Sequence, residues 1–200
     1  RAVATDGHRL AMSEMMQVTE AAEPLSVIVP RKGIAELGRL LDDDEDEVQI
    51  RVGDSHLQVI VGRQVLTTKL IDGRFPDYDR VLPKGGDKIV TGDREILRQG
   101  FARASILSNE KFRGIRVSLQ TNLMKALAHN PDQEEAEEEM EVDYTGDSLE
   151  IGFNVSYLLD IFTNTKSDTM QLEFSDSNSS CLIKPLEEAG CQYVVMPMRL

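Results

Sequence analysis

The chain has no tryptophan, and aromatic residues make up only 5% of its 200 positions, so a platform of stacked rings for unpaired bases has little to build from. Its two cysteines, Cys181 and Cys191, form no CxxC pair and have no histidine or acid at metal-ligand spacing. A disulfide scaffold is excluded, and neither a metal nor a cofactor is expected. No apolar run approaches the roughly 20 residues that span a bilayer, and the first residues show no charged-then-apolar leader. A reducing, cytoplasmic setting without membrane contact is expected. Walker loops, GxGxxG and GxSxG are missing too, and the carboxylates sit in solvated runs rather than singly among apolar neighbours. Catalysis is disfavoured, and the chain is expected not to be an enzyme.

Positive charge is also scarce, with 22 Lys and Arg against 35 Asp and Glu and a net charge of −13. The distribution matters more than the sum. Six consecutive acids occupy Asp42 to Glu47, and ten more lie between Asp132 and Glu150, where there is no Lys or Arg. The rest of the chain carries 19 acids against all 22 bases, so an anionic partner is not excluded. The first run lacks the alternate spacing and turn glycine of a calcium loop, and reads as a solvated connection. Glu134 to Glu141 reads as the water-facing edge of an outer sheet, where like charges oppose edge-to-edge pairing.

What the chain does have is a repeat of pattern. One unit opens with Val27-Ile28-Val29 and Pro30 at a first helical position, then places Ile34, Leu37, Leu40 and Leu41 at helical spacing. Strand-like runs come next at Val48–Val52, Leu57–Val61 and Val65–Leu70. A second copy runs from Lys88-Ile89-Val90 through a helix capped by Asp93 to strands at Ile115–Leu119, Met124–Ala128 and Glu139–Tyr144. A third starts at Leu149-Glu150-Ile151, continues with a helix from Val155 through Phe162, and closes with strands near Met170–Phe174, Cys181–Ile183 and Tyr193–Met196. Each unit reads β-α-β-β-β. Residues 1–18 look like the tail of a further unit, two runs joined by Asp6-Gly7, so the chain is expected to begin inside a domain. Two units per domain place a boundary near Tyr78, giving a truncated domain at 1–78 and a complete one at 79–200. The fold class expected is α+β, with two helices packed on antiparallel sheets in each domain.

Cations stand at unusual places in the helices. Arg31, Lys32 and Arg94 fall in first turns, where a positive charge opposes the macrodipole by roughly 0.3–1 kcal/mol but suits a phosphate oxygen. Arg98, Arg103, Lys111, Arg113 and Arg116 continue the basic series, with Glu95 and Glu110 as the acids among them. A solvated helical face explains such a series as well as DNA does. Ile106-Leu107 ends the second helix just before a polar stretch, so one residue can pack inward while the other is an exposed association anchor. The C-terminal Tyr193-Val194-Val195-Met196-Pro197-Met198-Arg199-Leu200 is apolar almost to its end. Pro197 forbids a continuing central strand, which leaves a buried strand at Tyr193–Val195 and an adaptable apolar surface at Met196–Met198.

Several blocks together resemble one known family: Val3-Ala4-Thr5-Asp6-Gly7-His8-Arg9-Leu10-Ala11, Lys69 to Tyr78 (KLIDGRFPDY), Phe101 to Val117, Gly152 to Tyr157 and the terminal YVVMPMRL. The family is the bacterial sliding clamp, the beta subunit of DNA polymerase III, matched along the whole chain but without its first domain and the opening of its second. The resemblance implies a DNA-clamp fold: a ring of two subunits, helices lining the hole and sheets outside, that encircles duplex DNA without sequence choice as a processivity factor. Tethering makes rebinding of the primer end intramolecular.

By the same resemblance, a hydrophobic groove between the second and third domains takes short linear motifs from the polymerase, the clamp loader and repair proteins. Its walls would be Thr5, Gly7, His8, Arg9 and Leu10; Pro76, Arg80 and Val81; Asn154 and Tyr157; Asn178 and Ser180; and Val194, Met196, Pro197, Met198 and Arg199. Arg31, Lys32, Arg94, Arg98 and Arg103 would face DNA, while Ile106 and Leu107 would meet the other subunit of the homodimeric ring. Lacking that partner surface, this chain is expected to be monomeric. A peptide-binding adaptor without a DNA role is the alternative reading.

Overall fold

The computed structural model describes residues 1–16, 24–41 and 47–199. Most of the first acidic run, at 42–46, and Leu200 therefore lie outside the described residues. Two compact units are present, one made of Arg1–Gln17 with Tyr78–Leu200 and the other of Val18–Asp77. The hairpin β1 (Ala2–Thr5) and β2 (Arg9–Ser13) packs in the same compact unit as Tyr78–Leu200. The reason is pairing: β2 runs antiparallel to the last strand, with Leu10 opposite Val194 and Tyr193 opposite Ala11.

The smaller unit holds α1 (Arg31–Leu40) and a sheet in the order β3 (Val48–Val52), β4 (His56–Val61), β5 (Gln64–Lys69). In the larger unit, β6 (Lys88–Asp93), α2 (Arg94–Ser105), β7 (Gly114–Gln120), β8 (Leu123–His129) and β9 (Glu135–Glu141) form one repeat. β10 (Leu149–Asn154), α3 (Val155–Asn164), β11 (Thr169–Phe174), β12 (Cys181–Pro185) and β13 (Cys191–Val195) form the next. The two interlock, since the first strand of each repeat pairs with the second strand of the other. β6 lies against β11 with Asp93 opposite Thr169, and β10 lies against β7 with Asn154 opposite Gly114. The resulting sheets run β1-β2-β13-β12-β11-β6 and β10-β7-β8-β9.

One backbone hydrogen bond recurs in all three repeats. The carbonyl two residues before the helix N-cap accepts an N–H from just beyond the last strand of the repeat: Ile71 N to Ile28 O at 2.9 Å, Asp143 N to Thr91 O at 2.7 Å and Met198 N to Gly152 O at 2.8 Å. Helix starts vary more. Asp93 caps α2 by accepting from Ile96 N at 2.8 Å, and Asn154 caps α3 by accepting from Ser156 N at 2.9 Å. Pro30, expected as the first helical residue, is instead the N-cap of α1 and offers no side-chain acceptor.

Two strand expectations are corrected. Val27–Val29 forms no strand, because the second edge that β6 and β10 find on the neighbouring repeat has no counterpart here among the described residues. The strand expected at Glu139–Tyr144 is β9 at Glu135–Glu141, whose place is set by its ladder with β8 from His129 opposite Glu135 to Leu123 opposite Glu141. Its carboxylates stay outside, and Lys125 reaches both Glu137 and Glu139.

The larger unit's core lies where α2 and α3 meet over both sheets. Phe101 and Phe162 stack there with ring centroids 5.6 Å apart, surrounded by buried Leu97, Leu158, Ile115, Met124, Met170 and Leu172. The hairpin is fastened by Glu14 N donating to Gly190 O at 3.0 Å. Gly190 has φ of +84°, and a Cβ there would sit 2.1 Å from the Glu14 carbonyl oxygen. Gly190→Ala is therefore expected to cost about 1–3 kcal/mol and to loosen β2 from β13, read as lost amide protection at Glu14 and Ser13 in hydrogen exchange.

Candidate peptide groove

The hairpin tip is built by local hydrogen bonds. Asp6 accepts from His8 N and Arg9 N, each at 3.0 Å, and Thr5 Oγ1 donates to Arg9 O at 2.8 Å while accepting from Gly7 N at 3.2 Å. Gly7 supplies the left-handed step at φ +88° that the tight turn needs. Burial alone would raise the Asp6 carboxyl, but the N–H of His8 and the side chain and N–H of Arg9 outweigh it and hold it below its ordinary 3.8. This fixed tip presents His8 and Arg9 outward.

Two elements converge on those two residues, the last segment and α3. The last segment docks by Met196 N donating to His8 O at 2.9 Å, and two residues later Met198 N donates to Gly152 O of β10. From α3, Tyr157 lies stacked against the His8 ring, centroids 6.4 Å apart, with the Arg9 guanidinium 4.5 Å over its face. Arg9 also pairs with Asp6 at 3.1 Å and with Asp160 of α3. An exposed cation–π contact contributes about 0.5–1 kcal/mol, so the cluster holds position more than it adds stability.

Beneath lies an apolar floor separate from the main core. Leu10, Met12, Leu182 and Val194 are buried together, with Val3, Tyr78, Val81 and Leu82 half-buried against them. Ser180 donates to Met196 Sδ at 3.5 Å, and Met196, Pro197 and Met198 are each half-exposed. The structure therefore brings together Thr5, Gly7, His8, Arg9, Leu10, Val81, Tyr157, Ser180, Val194, Met196 and Met198. Arg80 stands beside them in sequence, in a 3-10 turn at Tyr78–Arg80. Asn154 is committed to capping α3, Asn178 closes a turn on Asp176 and is exposed, and Arg199 is exposed. Pro76 lies in the other compact unit.

Phe112 was not picked out from the sequence. It is 55% exposed, its carbonyl accepts from Asn154 Nδ2 at 3.3 Å, and Lys111 Nζ lies 5.3 Å from its ring. The available signal was a lone aromatic between two cations in a polar loop. That pattern says nothing of the neighbour the fold supplies.

The cations expected to face DNA differ in their surroundings. Arg31 and Lys32 are exposed in the first turn of α1. Arg94 donates to Phe162 O at 3.0 Å and Ser167 O at 2.9 Å, so it closes the C-terminal end of α3, and local stability does explain its place in the first turn of α2. Arg98 grips Glu95 through two hydrogen bonds of 2.8 and 2.6 Å, which with Gln99 hold that carboxyl down to about 2. Arg103 pairs with Glu138 at 2.8 Å. Such exposed pairs contribute about 0–1 kcal/mol and open readily to a phosphate. Ile106 is 75% exposed at the end of α2, while Leu107 is half-buried.

Among the described residues, no group of three or more His, Cys, Asp or Glu could hold a metal ion, and no helix is long and apolar enough to cross a membrane.

The chain is similar to known proteins along its whole length. Residues 79–199 match the family model for the DNA polymerase III beta subunit, C-terminal domain, and residues 1–77 the model for its central domain. The beta sliding clamp of Pseudomonas putida is 56% identical over 200 residues, covering 100% of this chain and 54% of that protein. That of Escherichia coli K12 is 49% identical over the same 200 residues and likewise 54% of its length. A crystal structure of the Pseudomonas aeruginosa sliding clamp with ligand superposes with a TM-score of 0.95 at 54% identity, covering 99% of this chain and 54% of that one. Another from the same organism, bound to griselimycin, superposes with a TM-score of 0.94. The chain thus spans about half the length of the curated relatives it matches.

Proposed function

We propose, on the premise that this chain belongs to the DNA polymerase III beta-subunit family of bacterial sliding clamps, that it is part of a non-catalytic processivity factor and carries that factor's peptide-docking groove. The observation that carries the reading is the seating of Met196 and Met198 between the His8 hairpin and β10, beside Tyr157 and over an apolar floor. An extended peptide fits such a site, since apolar anchors can enter between Val81, Leu10 and the two methionines. Arg9 and Arg80 stand at the rim for an acidic flank. A few such anchors give roughly micromolar binding, about −8 kcal/mol, which leaves polymerase, clamp loader and repair factors free to exchange.

Within the longer ring, diffuse contacts from Arg31, Lys32, Arg98 and Arg103 to the phosphate backbone hold DNA without reading it. Arg94 serves the fold first. Ile106 remains the candidate anchor for the other subunit of a homodimeric ring working in the cytoplasm. Titration of a labelled clamp-binding peptide into the chain, followed by amide shifts, tests the groove. His8, Arg9, Tyr157, Met196 and Met198 should move together; shifts confined to other residues would overturn it.

The pairing of Arg98 with Glu95 and of Arg103 with Glu138 favours a second reading, an adaptor that binds peptides without DNA. Salt-dependent retention of the full-length protein on circular but not on freely ended DNA separates the two. The adaptor would show no such difference.

A further inference from the structure

β10 contains a glycine that its backbone does not require. The positive-φ glycines among the described residues are Gly7, Gly62, Gly85 and Gly190, so Gly152 takes an ordinary strand conformation open to any residue. A glycine inside a strand weakens it, and often marks a place that another group approaches closely. The other repeat shows what the position can hold. Thr91 likewise stands two residues before its N-cap, opposite Gln171, as Gly152 stands opposite Arg116. Beside Gly152 lies a hollow of ≈ 230 Å³, lined by Arg116, Glu150, Ile151, Gly152 and Ser177. The Gly152 carbonyl also accepts from Met198 N, so the hollow adjoins the methionine wall of the groove.

Donors dominate this lining. Arg94, Arg98, Arg103 and Arg113 all donate hydrogen bonds, but among the described residues Arg116 donates none and meets Glu150 at 3.9 Å. The Ser177 hydroxyl accepts from Asn178 Nδ2 at 3.4 Å, which leaves its own hydrogen for a ligand. Thr91 and Asp143 exchange both backbone hydrogen bonds, whereas Gly152 and Met198 share the one to the carbonyl, and the Gly152 N–H lies on that same edge of the strand. The acid of the lining, Glu150, has a side chain 66% exposed and turns to solvent at little cost.

We propose that this hollow takes a carboxylate side chain that flanks the apolar anchors of the docked peptide, held by the Arg116 fork and the Ser177 hydroxyl. The site rests on the groove proposed above and gives it a preference for acid at one flank. Glu150 is the resting partner of Arg116, and the incoming carboxylate displaces it.

Two labelled clamp-binding peptides with the same apolar anchors, one with Asp and the other with Asn at the flank, test this by fluorescence anisotropy, with the pair repeated for the opposite flank. On one flank the Asp peptide should bind about three- to tenfold tighter, and less so at high salt. A chain with a net charge of −13 repels acid at long range, so such a gain comes from a local contact. Arg116→Gln should remove the preference on that flank, and Glu150→Gln should enlarge it. Gly152→Thr, which copies the residue found at 91, should remove it by filling the hollow. Equal binding of Asp and Asn peptides on both flanks, or preferences all left intact by Arg116→Gln, would overturn the proposal while the groove stands. Failure of every peptide to bind would remove the groove and this site together.

Discussion

Removing Met196–Leu200 is expected to abolish capture of a clamp-binding peptide, raising Kd by about a hundredfold or more, while far-UV circular dichroism stays close to that of the parent. The deleted residues lie beyond β13, so no named strand is lost. The deletion takes away one wall of the groove and two backbone bonds, Met196 N to His8 O and Met198 N to Gly152 O. Loss of two apolar anchors at about 1.4 kcal/mol or more each accounts for the hundredfold. Fluorescence anisotropy with a labelled peptide measures it. Retained binding with the tail gone would move the site elsewhere. Tyr157→Phe is the control, because it keeps the ring that stacks on His8 and supports Arg9, and so should change affinity little.

Phe162→Ala should lower the stability of the larger unit by about 3–5 kcal/mol, the range for deleting a buried aromatic ring. Phe162 has no exposed surface and stacks on Phe101 at 5.6 Å, and no small rearrangement fills the space, because α2 and α3 are each held against strands of both sheets. In thermal unfolding, about 1 kcal/mol shifts the midpoint of a unit this size by roughly 2–4 °C, so a fall of about 10 °C is expected. An exposed residue of the same helix, Asp160→Ala, should change the midpoint little, although it frees Arg9 from α3. A drop for Phe162→Ala no larger than that for Asp160→Ala would mean that the helix pair is not the central support.

The repeat was legible because it rests on short-range physics. Alternating apolar residues such as Leu57, Val59 and Val61 face one side of a strand, and Leu97, Phe101 and Ala104 return to one side of a helix, whatever surrounds them. Asp93 could be read as a cap because its acceptor serves an N–H three residues away. Val27-Ile28-Val29 could not be judged the same way. It has a strand's composition, but a strand exists only where another backbone takes up its hydrogen bonds, and among the described residues Ile28 O is taken, by Ile71, with no ladder on either side.

The groove divides along the same line. His8, Arg9 and Tyr157 were named only by resemblance to family blocks, whereas Met196 was also marked by the apolar end of the chain. Arg94 shows the converse. As a cation in a first turn it pointed to phosphate, yet the carbonyls it serves, Phe162 O and Ser167 O, lie 68 and 73 residues away.

Amino-acid order alone determined three things here: the recurring succession of a helix and three strands, which of their faces are oily, and where negative charge is concentrated. All are set within a few residues of one another. Tertiary structure decided that the first hairpin joins the last strand, that Phe112 lies beside Asn154, and that Arg94 closes another helix. Each of those depends on backbone pairing or packing between segments distant in the chain, and the preference of a residue for its near neighbours carries no information about which distant edge it will meet.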